Sequence, residues 1–336
     1  MGLEIAVVGA GSWGTSLADH LAKKGHQIRL WSHDPEVAGL IEANGENTKY
    51  LSGIKLSPRV VATSDLEVAL KGAEVVLSVT PSQYVRDVMG RAAEFIDRDA
   101  LLISASKGIE TSTLKTMAEV FEDLLPSSIV ERAAYLSGPS FALEVAREEP
   151  TAVAVASHSP EAAEEAQALF QTEYFRVYTN PDVKGVELGG ALKNVIALAA
   201  GMTTGLGLGH NSLAALITRG LAEMSRLGVA LGASPLTFSG LAGMGDLILT
   251  CTGGLSRNRS VGVALGEGRS LSEILEGMTM VVEGVETARA THALAERTGT
   301  EMPIVDEVYA VLFEDRSVGE AVENLMLRTP KAEHWQ

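Results

Sequence analysis

The first half of the chain alternates short apolar runs with longer amphipathic stretches. Eight runs have the length and near-continuous hydrophobicity of buried strands. They are Ile5–Val8, Gln27–Trp31, Val60–Ala62, Val75–Val79, Leu101–Ser104, Ala134–Leu136, Ala152–Ala156 and Phe175–Tyr178. Several stretches between them predict helices, because apolar residues recur there at helical spacing. These helices are Trp13–Lys24, Ser82–Phe95, Ser112–Leu124 and Pro160–Phe170. The alternation predicts a parallel sheet with helices on both faces.

The pattern changes near Asp182, after which long helical segments follow and no run is typical of a strand. The clearest helices are predicted at Val186–Gly201, Ser212–Leu227 and Val281–Thr298. Gly228 and Gly299 are predicted to end the last two, since glycine commonly terminates helices. The chain therefore reads as an α/β region followed by an all-helical region. The last residues, from about 330, are predicted to be a frayed tail.

A glycine-rich segment, GAGSWG at residues 9–14, joins the first predicted strand to the first predicted helix. In a G-x-G-x-x-G loop, Gly9 allows the tight turn, Gly11 lets a pyrophosphate approach the backbone, and Gly14 lets helix and strand pack closely. The helix N-terminus then offers free N–H groups to the phosphates. The predicted fold class is α/β. Residues 1–182 form a Rossmann-like, doubly wound, dinucleotide-binding domain, and residues 183–336 form a helical substrate and catalytic domain.

The end of the second strand bears on the choice between NAD and NADP. An acidic side chain there usually binds the ribose 2′-hydroxyl of NAD and repels the 2′-phosphate of NADP. Here Ser32 and His33, which tolerate a phosphate, follow the strand, and Asp34 comes just after them. Asp34 has the charge for the NAD role but stands one or two positions late. Both NADP(H) and NAD(H) therefore stay open as cofactors.

Net charge and cysteine content narrow the functional classes. The net charge of −16 argues against nucleic acid and anionic membranes as partners, so an anionic substrate needs a local cluster of positive charge. The single cysteine, Cys251, excludes an internal disulfide and is interpreted as a small buried apolar residue in a reducing compartment. No apolar run reaches the ~18 residues that cross a bilayer. A cytoplasmic location without membrane insertion is expected.

Lys193 is the candidate proton-transfer group. It lies near the start of an apolar helix, after a pair of glycines that would let a substrate come close. Partial burial lowers the pKa of a lysine, and a lysine tuned toward neutrality can accept and return a hydroxyl proton. Asn194, next to it, either orients the reacting groups or is an ordinary polar helix residue.

Three further segments carry candidate chemistry. Ser256 is a plausible N-cap, and a helix N-terminus with the Arg257 guanidinium suits a phosphate. Lys107 follows the fifth strand, and ligands of open α/β sheets lie beyond the carboxyl ends of strands. Asp246, between glycine and leucine, either accepts a substrate hydroxyl, holds Lys193 in place or caps the following turn. No Cys or His spacing indicates a metal site.

Six motifs in order resemble a known family. They are KGIE at 107–110, LSGPSFA at 136–142, ELGGALKN at 187–194, GDL at 245–247, CTG at 251–253 and SRNR at 256–259. With the glycine loop they are similar to bacterial NAD(P)-dependent sn-glycerol-3-phosphate dehydrogenase, over nearly the whole chain from Ile5 to about Leu327. That family interconverts sn-glycerol 3-phosphate and dihydroxyacetone phosphate, and the resemblance implies a role in glycerophospholipid synthesis.

The resemblance also implies roles for individual residues. Lys193 is the implied acid/base. The implied cofactor contacts, beyond the loop glycines, are Ser12, Trp13, His33, Lys107, Ala142, Arg257, Val281 and Glu283. The implied substrate contacts are Lys107, Gly138, Ser140, Lys193, Asp246, Ser256, Arg257 and Asn258. A small phosphorylated substrate and a homodimer are expected.

Two alternative functions stay open at this point. One is another two-domain dehydrogenase of the β-hydroxyacid or 6-phosphogluconate type, which also pairs a dinucleotide fold with helices and a lysine. The other is a non-catalytic sensor of NADP redox state, which would need neither Lys193 nor a phosphate site. Assays with dihydroxyacetone phosphate against hydroxy-carboxylic acids separate the first alternative, and turnover of any substrate excludes the second.

Overall fold

A computed structural model of the chain describes residues 2–278, 281–330 and 332–333. Its strands are β1 Glu4–Val8, β2 Gln27–Trp31, β3 Val60–Thr63, β4 Val75–Ser78, β5 Leu101–Ser104, β6 Ala134–Ser137, β7 Thr151–Ser157 and β8 Phe175–Asn180. They form one sheet in the order β3-β2-β1-β4-β5-β6-β7-β8. All eight predicted strands are confirmed. The predicted C-terminal tail falls largely outside the described residues.

One feature of the sheet differs from the prediction. Strands β1 to β6 pair in parallel, but β7 runs antiparallel to β6, and β8 is parallel to β7. Two consecutive parallel strands need a connection that returns along the full length of the strand, usually through a helix of several turns. The connection from β6 to β7 contains only a five-residue helix, Ala142–Ala146, so the chain turns back instead of crossing.

Helices cover the sheet and make up the second half of the chain. The α-helices are α1 Ser12–Lys23, α2 Pro35–Asn44, α3 Leu66–Leu70, α4 Val85–Ala92, α5 Met117–Leu124, α6 Ser127–Val130, α7 Ala142–Ala146, α8 Pro160–Phe170, α9 Val183–Gly205, α10 His210–Ala230, α11 Pro235–Phe238, α12 Asp246–Thr252, α13 Arg257–Gly266, α14 Leu271–Glu276, α15 Glu283–Thr298, α16 Pro303–Phe313 and α17 Val318–Met326. Short 3-10 turns, Ser82–Tyr84 and Ala93–Phe95, flank α4, and a π-turn, Leu241–Gly245, precedes α12.

Several helix boundaries differ from the prediction by a few residues, and two of the differences have a clear physical reason. The helix predicted from Ser112 begins only at Met117, because Thr116 and Glu119 form a capping box there. Gly228 does not end α10, which continues to Ala230. A β-carbon at Gly228 would lie 2.2 Å from the ring of Phe238, so this glycine permits close packing. The glycine at 299 does adopt the left-handed conformation that ends α15. The predicted helix Ser82–Phe95 is α4 with its two flanking turns.

Helix α9 is the centre of the helical region and packs on α10, α12, α13 and α15. Most of its 23 residues are buried, so it lacks a polar face. Its contact with α13 is made by glycine on both sides. A β-carbon at Gly201 would lie 2.1 Å from the carbonyl oxygen of Arg259, and one at Gly262 would lie 2.1 Å from that of Leu198. The two helix backbones therefore touch directly.

Candidate active site

The glycine loop lies between β1 and α1, as its sequence predicts. Gly9 has a φ of +125°, which other residues rarely adopt, and a β-carbon at Gly14 would lie 1.8 Å from the carbonyl oxygen of Gly9. A β-carbon at Gly11, in contrast, would meet no protein atom within 4 Å. The turn and the helix packing require the two outer glycines, whereas Gly11 borders open space.

That open space fits the phosphates of a dinucleotide. Gly11 is the N-cap of α1 and provides no capping side chain, so the first N–H groups of the helix are available to an anion. The indole Nε1 of Trp13 is buried and finds no hydrogen-bond partner among the described residues. A buried donor of this kind indicates an absent partner. His33 is exposed just beyond the end of β2.

Two lysines converge on one buried carboxylate. Lys193, from α9, donates to Oδ1 of Asp246 at 2.6 Å, and Lys107, from the loop after β5, donates to Oδ2 at 2.8 Å. Asp246 begins α12 and is 1% exposed, and the Lys193 side chain is 9% exposed. Lys107 also donates to the carbonyl oxygen of Gly138, at 3.1 Å. Side chains from three distant segments thus form one cluster, the lysine–aspartate cluster.

Burial and neighbouring charges set the protonation of this cluster. Burial lowers the pKa of Lys193 to about 8, and the nearby Lys107 acts in the same direction, while Asp246 opposes both. Burial alone would raise the pKa of Asp246, but Lys107 and Lys193 outweigh it, so this carboxyl stays below its usual pKa. Near neutral pH the cluster therefore holds an ionised carboxylate and a lysine close to its titration point.

Thr250 belongs to the lysine–aspartate cluster, although the sequence analysis did not name it. Its Oγ1 accepts from Lys193 at 2.9 Å and donates to the backbone carbonyl of Asp246 at 2.6 Å. The two residues are four positions apart on α12 and share one helix face. That spacing was the signal that would have found it.

The loop after β6 forms one border of the cluster. Gly138 has a φ of +141°, and a β-carbon there would lie 2.9 Å from the backbone of Val153. Ser140 donates to the carbonyl oxygen of Gly138 at 3.0 Å. Ala142, which begins α7, follows this turn. Gly138 therefore carries the carbonyl that both Lys107 and Ser140 use.

The N-terminus of α13 lies beside α9. Ser256 is its N-cap and accepts from the backbone N–H of Arg259 at 3.2 Å, as expected. Asn258 donates to the side chain of Asn194 at 2.9 Å, which ties the first turn of α13 to the residue after Lys193. The Arg257 side chain is exposed and donates to the Val281 carbonyl at 3.1 Å. The guanidinium of Arg257 thus links the start of α13 to the segment that precedes α15.

Glu283 links the helical region to the sheet region. Its carboxylate accepts from the backbone N–H of Ser82 at 3.1 Å and from the Ser82 hydroxyl at 2.6 Å. Burial raises the pKa of Glu283 above its usual value, although the bonds from Ser82 and the charge of Arg257 oppose the rise. The start of α15 is thereby held next to the loops that follow β4 and β5.

Not all predicted site residues lie together. Lys107, Gly138, Lys193 and Asp246 form one hydrogen-bonded group, which Ser140 joins through the Gly138 carbonyl. Asn194 and Asn258 form a separate pair, and Glu283 bonds Ser82 instead. His33 stands at the end of β2, two strands away from β4 in the sheet order. Cys251 is buried, and burial raises the pKa of its thiol to about 12, which agrees with the predicted packing role.

The described residues add two observations on metals and membranes. Within ranges 2–278, 281–330 and 332–333, no group of three or more His, Cys, Asp or Glu side chains is placed to hold a metal ion. Across the same part of the chain, no helix combines the length and apolar character required to cross a membrane.

The fold and site together define an oxidoreductase that uses a nicotinamide dinucleotide. The chain belongs to the NAD-dependent glycerol-3-phosphate dehydrogenase family: the model of the family's N-terminal region matches residues 4–163, and that of its C-terminal region matches residues 182–323. The cofactor is NAD or NADP, as in the relatives. Membership of this family favours a glycerol-3-phosphate dehydrogenase over the two alternatives, a hydroxyacid dehydrogenase and a non-catalytic redox sensor.

Individual relatives agree with the family. A glycerol-3-phosphate dehydrogenase of the NAD(P)+ type from Citrifermentans bemidjiense is 57% identical over 333 residues, with 99% of each chain covered. The crystal structure of glycerol-3-phosphate dehydrogenase from Coxiella burnetii has a TM-score of 0.93 at 40% identity, covering 97% of this chain and 99% of that one. A ketopantoate reductase from Ralstonia eutropha, 17% identical with a TM-score of 0.60 and covering 95% of this chain and 99% of that one, shares the fold alone.

Proposed function

We propose that the protein interconverts sn-glycerol 3-phosphate and dihydroxyacetone phosphate, with Lys193 as the acid/base. The observation that carries this proposal is the lysine–aspartate cluster, where a buried lysine with a pKa near 8 faces an ionised carboxylate. A group that titrates close to the working pH is well suited to proton transfer. The relatives' names supply the substrate class.

The nicotinamide ring carries the hydride when the cofactor is bound. The chain's own residues bind, orient and move the proton. The N-terminus of α1 binds the pyrophosphate beside Gly11. Lys193 Nζ accepts the proton of the C2 hydroxyl during oxidation and donates it to the C2 carbonyl oxygen during reduction. Lys107, whose ammonium also reaches Asp246, adds positive charge beside that oxygen.

Asp246 is proposed to hold both lysines in position. Its two oxygens accept from different ammonium groups at 2.6 and 2.8 Å, so each lysine is oriented by the same carboxylate. The carboxylate also keeps the pKa of Lys193 from falling further. Without this charge, burial alone would leave the lysine neutral at still lower pH, and the proton needed for reduction would be scarce.

The proposed phosphate site is the N-terminus of α13. Ser256 uses its side chain to cap the helix, and the other first-turn N–H groups and the Arg257 guanidinium can bind an anion. A local cationic site is required, because the whole chain carries a net charge of −16. Asn258 is fixed by its bond to Asn194, so the phosphate site and the proton group keep a constant separation.

The product sn-glycerol 3-phosphate would serve glycerophospholipid synthesis, and the protein is expected to act as a cytoplasmic homodimer. The division into domains 1–182 and 183–336 likewise stays a prediction. In the structure, β8 ends at Asn180 and α9 begins at Val183, close to the predicted boundary.

The decisive test is oxidation of NADH and of NADPH, followed with dihydroxyacetone phosphate as substrate. Unphosphorylated dihydroxyacetone and two α-keto acids, one of them ketopantoate, serve as comparisons. We expect turnover with dihydroxyacetone phosphate and a kcat/KM at least about a hundredfold lower for the others, since each lacks the charge-assisted phosphate contacts. Faster turnover of a keto acid would overturn the proposal in favour of a hydroxyacid dehydrogenase.

A further inference from the structure

A segment between α2 and β3, residues 45–59, packs against the glycine loop. Asn47 donates through Nδ2 to the carbonyl oxygen of Ala10 at 2.9 Å and to the hydroxyl of Thr15 at 2.8 Å. Ser12 donates to the carbonyl oxygen of Tyr50 at 2.6 Å. These bonds place the α2–β3 segment beside the region where the phosphates of a dinucleotide bind. Its side chains therefore border the adenosine half of the cofactor site.

The acidic residue nearest the end of β2 is already engaged. Asp34 is the N-cap of α2, and its Oδ1 accepts from the backbone N–H of Glu36 at 3.0 Å. Its Oδ2 accepts from Lys49 Nζ of the α2–β3 segment at 2.8 Å. Ser32, which occupies the strand-end position itself, is 2% exposed and accepts from the Asp34 N–H at 3.2 Å. Ser32 is buried and carries no charge, and both carboxylate oxygens of Asp34 already have partners within the protein.

We propose that Lys49 determines the cofactor preference: it neutralises Asp34 and presents its ammonium to the 2′-phosphate of NADP(H). The Lys49 side chain is 34% exposed, so it can contact a phosphate while it remains beside Asp34. His33, exposed between Asp34 and the strand, lines the same edge. An Asp34 carboxylate paired with a cation repels a phosphate less than a free one does. The inference rests on the proposed function only for the location of the dinucleotide, not for the substrate.

The test is calorimetric titration of the full-length protein with NADPH and with NADH, without substrate. We expect Lys49→Ala to weaken NADPH binding by about tenfold and NADH binding by less than about twofold, since only NADPH carries the extra phosphate. The effect should shrink as salt is added, because the site is partly exposed. Lys71→Ala is the matched control: this lysine is 81% exposed, pairs only loosely with Glu67 and precedes the amino end of β4, whereas the glycine loop follows the carboxyl end of the parallel strand β1. It should alter neither affinity.

A second variant tests the role assigned to Asp34. Asp34→Asn keeps an N-capping side chain and removes the charge, so the fold should be preserved. We expect NADH binding to stay within about twofold and NADPH binding to be unchanged or tighter. In the double variant with Lys49→Ala, NADPH should bind more tightly than to Lys49→Ala alone, because the unpaired carboxylate is gone.

Three outcomes would overturn the inference. Equal weakening of both cofactors by Lys49→Ala would mean that the lysine only supports the α2–β3 segment. Unchanged binding of both would mean that it does not reach the cofactor. A loss of about tenfold in NADH binding in Asp34→Asn would mean that Asp34 binds the ribose hydroxyl. These binding results do not depend on turnover of dihydroxyacetone phosphate, so failure here and failure of the proposed reaction are distinguishable.

Discussion

The glycine loop and the lysine–aspartate cluster are the two halves of the site, and they are built in opposite ways. The loop is six consecutive residues whose function depends on backbone atoms and on missing side chains. The cluster consists of side chains from the loop after β5, from α9 and from α12. A backbone site tolerates few substitutions but is local, whereas a side-chain site requires the whole fold to bring its members together. The two halves should therefore respond differently to single substitutions.

Lys193→Ala should have the largest effect, because it removes the proposed proton group. We expect kcat to fall by ~10²–10⁴-fold, while NADH and NADPH bind as in the unmodified protein. Steady-state kinetics and calorimetric titration measure the two quantities separately. Lys184→Ala, in the first turn of α9 and paired with Glu119 away from the cluster, is the comparison for damage to α9. A Lys193→Ala variant that keeps more than about a tenth of the original kcat would exclude this lysine as the proton group.

Gly11→Ala should weaken cofactor binding and leave the proton group in place. The added methyl group meets no protein atom within 4 Å and φ is −71°, so the fold should be preserved, with only the small cost of alanine at an N-cap. It occupies the space needed by the pyrophosphate, which should weaken both cofactors by about ten- to a hundredfold. Gly39→Ala, an equally open glycine on α2, is the control and should leave binding intact. Unaltered affinity in Gly11→Ala would show that the phosphates bind elsewhere.

Arg257→Ala should weaken substrate binding without removing the proton group. A charge-assisted contact is worth roughly 1.5–3 kcal/mol, so KM for dihydroxyacetone phosphate should rise about ten- to a hundredfold. Turnover of unphosphorylated dihydroxyacetone should be insensitive to the change. Arg269→Ala, in the connection between α13 and α14, controls for the lost charge. Equal losses for both substrates would show that Arg257 does not recognise the phosphate.

The smallest expected effect is a shift of the pH profile. Lys193 must be neutral to accept a proton, so oxidation of glycerol 3-phosphate should decline as pH falls below about 8. Reduction requires the protonated lysine and should decline as pH rises above the same value. Asp246→Asn removes the charge that raises this pKa, so both limbs should move to lower pH, by about one unit. Limbs that stay in place in Asp246→Asn would mean that another group titrates.

Much of the fold could be predicted from sequence because its signals are local. Each strand of the sheet is a short apolar run, and its burial leaves a continuous hydrophobic signature. The direction of β7 could not be read this way, since strand direction depends on how the preceding connection packs. The prediction that Gly228 ends α10 was wrong for a similar reason, since it depends on tertiary packing. Only the position of Phe238, ten residues later, distinguishes a glycine needed for packing from one that ends a helix.

The candidate site divides along the same line. Lys107, Lys193 and Asp246 could each be singled out from their motifs, but their common hydrogen bonds join residues up to 139 positions apart. Contacts at such separations follow from tertiary packing. Asn47 and Lys49 gave no signal at all, because a polar loop residue resembles any other until the loop is seen against its neighbour.

The direct contact between the backbones of α9 and α13 has a consequence for substrate choice. Lys193 is on one helix and the proposed phosphate site begins the other, and no side chain separates the two backbones at Gly201 and Gly262. The two glycines therefore fix the distance between α9 and α13. In the proposed reaction this distance would admit one spacing between phosphate and carbonyl, so a shorter or longer homologue of the substrate would place its reacting carbon out of register.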